Sequence, residues 1–142
     1  MIIRLLLVAL LFGGGLARAE LEVVDGYVRG LPPGQTVTAA FMTLRNSGEE
    51  DVVLTQARSP VAETLEFHAH EHVDGMMRMR QLEELRVPAG AAITLAPGGL
   101  HLMLIGLQRP LQEGDLVTIE LCSAAGDCTS PELAVISVLN ED

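Results

Sequence analysis

From Leu21 onward the chain is interrupted by Gly, Pro, Asn or Asp every 8 to 15 residues, and each interruption closes a short apolar or alternating run. The runs are Leu21–Val28, Thr36–Leu44, Val52–Ala57, Thr64–His70, Met77–Leu82, Ile93–Leu95, His101–Leu107, Leu116–Leu121 and Leu133–Val138. Runs this short, bounded by turn residues, specify strands, in which successive side chains point to opposite faces. Pro32-Pro33-Gly34, Asn46-Ser47-Gly48, Pro97-Gly98-Gly99 and Glu113-Gly114-Asp115 supply turns between them. Only Gln81–Leu85 reads as a helical turn. The expected fold is all-β, with strands pairing non-locally into the two sheets of a Greek-key β-sandwich.

The N-terminus sets the compartment. Met1–Ala19 carries Arg4, an apolar run from Leu5 to Phe12, a Gly13-Gly14-Gly15 break and Ala17-Arg18-Ala19. That order reads as a secretory signal peptide ending in a small-x-small cleavage site; an uncleaved N-terminal anchor is the alternative. The apolar run falls short of the roughly 20 residues a spanning helix needs, so stable membrane insertion is not expected. Cleavage would take 19 residues from 142, leaving one domain at 20–142 of 123 residues, and would remove Arg4 and Arg18, moving the net charge from −10 to −12. No linker or repeat divides that domain. Its remaining basic residues are arginines without a cluster, which argues against nucleic acid or an anionic membrane as partner.

Two His/Met clusters carry the chemistry. His68-Ala69-His70-Glu71-His72 leads into Met76-Met77-Arg78-Met79, and His101-Leu102-Met103 follows Pro97-Gly98-Gly99. A thioether is soft and uncharged, so a site mixing it with imidazole favours Cu(I) over cations that want carboxylates. On strands, residues two apart share a face, which groups His68, His70 and His72, Met77 with Met79, and His101 with Met103. Asp74-Gly75 is a hairpin signal, and a hairpin around Val73-Asp74-Gly75 is expected to return Met79 beside His68. Met76 and Met77 read equally well as core filler.

The spacing His68, ten residues, Met79, twenty-one residues, His101, one residue, Met103, with the flanks Met77-Arg78-Met79-Arg80 and Pro97 to Leu104, resembles the PCuAC (DUF461) family of periplasmic copper chaperones. The likeness runs over roughly Glu22 to Val138, including Ala40-Phe41-Met42-Thr43-Leu44 and Asn46-Ser47-Gly48. It implies a cupredoxin-like sandwich in the periplasm holding one Cu(I) through His68, Met79, His101 and Met103. It also implies delivery to a copper enzyme, typically the copper-site subunit of cytochrome c oxidase at its binuclear centre, with a Sco-type thiol protein as a further partner. His70 and His72 depart from the pattern and, with Met77, are candidate accessory ligands, since imidazole also suits Cu(II).

Cys122 and Cys128 flank a turn-like segment with Gly126, and in an exported protein that arrangement reads as a structural disulfide. A blue-copper centre is disfavoured, because both cysteines follow the last histidine. No nucleophile elbow, phosphate-binding glycine loop or His-Glu-x-x-His stands in the chain, so an enzyme is not expected. Two alternatives remain: a zinc or Cu(II) scavenging protein centred on His68, His70 and His72, and a structural sandwich with incidental histidines.

Overall fold

A computed structural model describes residues 20–141, and the signal peptide expected at Met1–Ala19 lies outside them. The elements are β1 (Leu21–Gly30), β2 (Val37–Asn46), β3 (Val52–Arg58), β4 (Ala62–Val73), β5 (Met76–Leu82), β6 (Leu85–Val87), β7 (Ala92–Leu95), β8 (His101–Leu107), β9 (Leu116–Thr118), β10 (Glu120–Ser123), β11 (Cys128–Thr129) and β12 (Glu132–Ser137), then a 3₁₀ turn at Val138–Asn140. A large sheet runs β5-β4-β8-β2-β1-β12-β9, with β7 also on β2, and a smaller one runs β11-β10-β3-β6. Among the described residues no helix is long and apolar enough to cross a membrane.

Strand alternation builds the core. Leu65 and Phe67 of β4, Leu102 and Leu104 of β8, Ala40, Met42 and Leu44 of β2, and Leu133 and Val135 of β12 are buried in one cluster with Val52 and Leu54 of β3, Leu85 and Val87 of β6, and Leu121 of β10. Each fully buried aliphatic side chain contributes about 1.5–3 kcal/mol. The neighbours of these residues on the same strands therefore face away from the core, and this outward face of the large sheet carries the His/Met clusters.

Three sequence expectations are corrected. The helical turn at Gln81–Leu85 is absent: β5 continues to Leu82, and Leu85–Val87 pairs with Val52–Leu54 as β6. Leu85 and Val87 point inward with Arg86 outward, the period-two signature of a strand compressed into three residues. The run Leu116–Leu121 is two strands. β9 pairs with β12 in the large sheet and β10 with β3 in the small one, and the chain crosses between them at the fully buried Ile119. β4 also runs past His70 to Val73, carrying the hairpin further out than its apolar residues indicated.

β7 and β8 form one interrupted strand along β2. Met42 pairs with Leu95 and Ala40 with Leu102, so two steps along β2 correspond to seven along its partner. The excess is the loop Ala96–Leu100, closed by the Ala96 amide donating to the Leu100 carbonyl at 2.9 Å and the Gly99 amide to the Ala96 carbonyl at 3.0 Å. Gly98 sits at φ +80°, a left-handed conformation that favours glycine.

On the small sheet Cys122 and Cys128 oppose each other across β10 and β11 and are joined by a disulfide. Replacing both with alanine is expected to lower stability by about 2 kcal/mol, the order the chain-entropy model gives for so short a loop. The urea unfolding midpoint reads that change.

Candidate metal centre

Because Leu65 and Phe67 face inward on β4, Glu66, His68, His70 and His72 face outward; because Leu102 and Leu104 face inward on β8, so do His101 and Met103. Register brings these together. His68 pairs with His101 and Glu66 with Met103 across β4 and β8, while His70 pairs with Met79 and His72 with Met77 across β4 and β5. Met79 therefore opposes His70. His68 faces Gln81, which corrects the expectation that Met79 returns beside His68. The hairpin loop is only Asp74-Gly75, both at positive φ (51° and 76°), and this two-residue turn sets a tighter register than a three-residue loop would. Met79 and His68 remain diagonal neighbours, about 7–8 Å apart at Cα and within reach of a long side chain.

His101 is the centre of the cluster. It is only 4% exposed although it lies on the outward face, and it is tied to Gly99 of the Ala96–Leu100 loop. Its ring centroid is 5.1 Å from that of His70 and 5.7 Å from that of His68. Burial, the largest influence, pushes its pKa below the ordinary 6.5, with His70 and His68 adding in the same direction and the bond to Gly99 opposing. The ring is thus kept neutral, as a metal ligand must be.

Hydrogen bonding assigns the tautomers. His101 Nδ1 lies 3.0 Å from the Gly99 carbonyl oxygen, which only accepts, so Nδ1 carries the proton and Nε2 keeps its lone pair. His68 Nε2 lies 2.7 Å from the Glu66 carboxylate, so its proton is there and Nδ1 is the free nitrogen. His68 Nδ1 and His70 Nδ1 are buried with no hydrogen-bond partner. A buried polar atom without a partner is costly, and a metal would satisfy both. A carboxylate or carbonyl on the far nitrogen is the usual second support of a metal-bound imidazole.

A groove of about 360 Å³ opens beside the cluster, lined among others by His70, Met79, His101, Met103, Arg29 and Phe41. His68 lies outside its lining. Arg29 stacks 4.9 Å from the Phe41 ring centroid, and its Nε donates to Glu141 at 2.6 Å. That pairing offsets a positive charge that would otherwise repel a cation. Glu141 also accepts from the Tyr27 hydroxyl at 3.0 Å, and burial together with this carboxylate pushes the Tyr27 pKa up to about 12.

The four residues of the spacing motif share one face of three adjacent strands. His70 lines the groove with Met79, His101 and Met103, while His72 and Met77 sit one rung further out, exposed, and Met76 is on the opposite face. The rings of His68 and His70 pack on that of His101, while His72, the third histidine of the scavenging alternative, lies exposed on the same face. Glu66 was missed, although its place two residues before His68 already puts it on the same face. Arg29 and Phe41 had no local signal. Among the described residues, one set of three His, Cys, Asp or Glu donors lies within 4.8 Å of one another: Glu120, Cys122 and Cys128. Its sulfurs are consumed by the disulfide.

A family profile described as LpqE-like matches residues 21–135. The chain is 36% identical over 99 residues to Lxx21020 of Leifsonia xyli subsp. xyli (strain CTCB07), whose name describes it as a lipoprotein; the match takes in 69% of this chain and 59% of the relative. The chain thus spans about three fifths of the length of that relative. The solution structure of CuI-DR1885 from Deinococcus radiodurans is similar at 33% identity and TM-score 0.66, over 87% of this chain and 82% of that one. The copper-bound PCuAC domain from PmoF2 has the same fold, at 19% identity and TM-score 0.68, over 82% of this chain and 92% of that one.

Proposed function

This chain belongs to the LpqE-like, PCuAC (DUF461) family, and from that premise we propose that it is an exported copper chaperone, a carrier of Cu(I) rather than an enzyme. The observation that carries the reading is the set of free donor atoms on one face: His101 Nε2, the partnerless Nδ1 atoms of His68 and His70, and the thioethers of Met79 and Met103 beside them. The proposed ligands are His68, Met79, His101 and Met103, with His70 adjacent to them. Two neutral imidazoles and two thioethers suit a soft monovalent ion. The copper-bound PCuAC domain from PmoF2 and CuI-DR1885 support the same cargo.

Release follows from exposure. Met79 is 56% exposed, so an incoming ligand from an acceptor can replace its sulfur without the sheet opening. The proposed acceptor is a periplasmic copper protein, with the binuclear copper site of cytochrome c oxidase as the expected recipient and a Sco-type thiol protein as cooperating partner. The clustering of three imidazoles favours a second reading, Cu(II) or zinc buffering through His68, His70 and His101. Imidazole nitrogen NMR on the Cu(I)-loaded protein separates the two. The chaperone reading expects metal-induced shifts at His68 Nδ1 and His101 Nε2 together with shifts at both methionine methyls. Shifts confined to imidazoles would favour buffering.

A further inference from the structure

The β4–β5 hairpin carries a second His/Met pair that the proposed site does not use. His72 and Met77 oppose each other, one rung outside His70 and Met79 and on the same face. Two residues along a strand is about 7 Å. In a two-residue hairpin the pair flanking the turn, here Val73 and Met76, exchanges backbone hydrogen bonds. The next rung on the outward face is then of the non-bonded kind, whose Cα atoms approach to about 4.5 Å. Asp74 and Gly75, both at positive φ, pin that register, and Arg80 pairs with Glu71 at 2.8 Å on the opposite face of the hairpin.

Folding gives no account of Met77. It is 52% exposed on the edge strand of the large sheet, where polar side chains ordinarily stand, and His72 across from it is exposed as well. Glu71, the nearest carboxylate on β4, faces the other way and is held by Arg80. The strand positions on the outward face at the tip therefore offer one imidazole and one thioether, next to the turn that carries Asp74. Such a pair by itself leaves a hard divalent ion without charge compensation, but suits Cu(I), which accepts few, soft ligands.

The geometry points to a second Cu(I) site made by His72 and Met77, weaker than the first and lying between it and solvent. It rests on the copper reading above. Copper moves along the hairpin as Cu(I), exchanging one His/Met rung for the next with no change of oxidation state. With only two protein donors, the outer rung leaves coordination positions open to an acceptor's own ligands, which makes it the hand-over position.

Anaerobic titration of the protein with Cu(I), followed by NMR of methionine methyl and histidine ring signals, tests this. The first equivalent is expected to shift Met79 and Met103, and the second to shift Met77 and His72. H72A/M77L should weaken the second step at least tenfold and leave the first unchanged. M77L alone, a near-isosteric change, should weaken it in the same direction, and M76L, on the opposite face, should alter neither step. A second step absent in the wild type, or unchanged in H72A/M77L and M77L, would overturn the outer site. Failure of the first equivalent to move Met79 and Met103 would instead overturn the carrier reading, so the two failures are distinct.

Discussion

Replacing Met79 and Met103 together with leucine is expected to lower Cu(I) affinity by about 100-fold or more while the sandwich stays folded. The size follows from what is removed. Losing even an outer-shell support of a metal ligand costs roughly 10- to 100-fold in affinity, and two direct donors exceed that. Leucine nearly conserves methionine's volume, so the stability cost stays under about 1.5 kcal/mol per site; Met79 is more than half exposed in any case. Cu(II) or zinc affinity should change far less, because the imidazoles of His68, His70 and His101 remain. Competition against a Cu(I) chelator, alongside a denaturation curve, checks both halves. Unchanged Cu(I) affinity would leave only a histidine site.

His101→Ala is expected to abolish binding of both copper oxidation states at the inner site, since His101 is the ring packed against both His68 and His70. The bond tying its Nδ1 to the Gly99 carbonyl disappears as well, a loss of about 1 kcal/mol. The pH dependence has a definite sign. Burial holds the folded-state pKa of His101 below 6.5, so as pH falls the unfolded chain takes up this proton first. Stability is therefore unaffected by His101 above pH 6.5 and declines as pH drops below it toward the folded-state pKa. The variant lacks that decline, and the stability gap between wild type and variant should narrow between about pH 7.5 and about pH 5.5. Urea titrations of both proteins at the two pH values measure it.

Period-two alternation made most of the fold legible. Runs such as His101–Leu107 coincide with a strand because each inward leucine is followed by an outward residue. Leu85–Val87 was too short to show that pattern beside the charged pair Glu83-Glu84. The break at Ile119 was hidden because the chain changes sheets without any Gly, Pro or Asn to mark the passage. For the site, spacing brought the four motif residues to one face. The partners of each depended on turn length: with two loop residues at Asp74-Gly75, Met79 meets His70. The placement of Arg29 and Phe41 at the groove depends on β2 lying next to β8 and β1 next to β2, a non-local pairing that no local pattern encodes. The same holds for the Gly99 carbonyl bonded to His101, which belongs to a five-residue loop that interrupts a strand.

The central claim is that copper sits in a mixed imidazole and thioether site. X-ray absorption spectroscopy of the Cu(I)-loaded, disulfide-intact protein tests it most directly, because with Cys122 and Cys128 joined any sulfur bound to copper must come from methionine. A coordination sphere containing both sulfur and imidazole nitrogen is predicted, with the sulfur lost in the variant in which leucine replaces Met77, Met79 and Met103. A first shell of nitrogen and oxygen alone would contradict it.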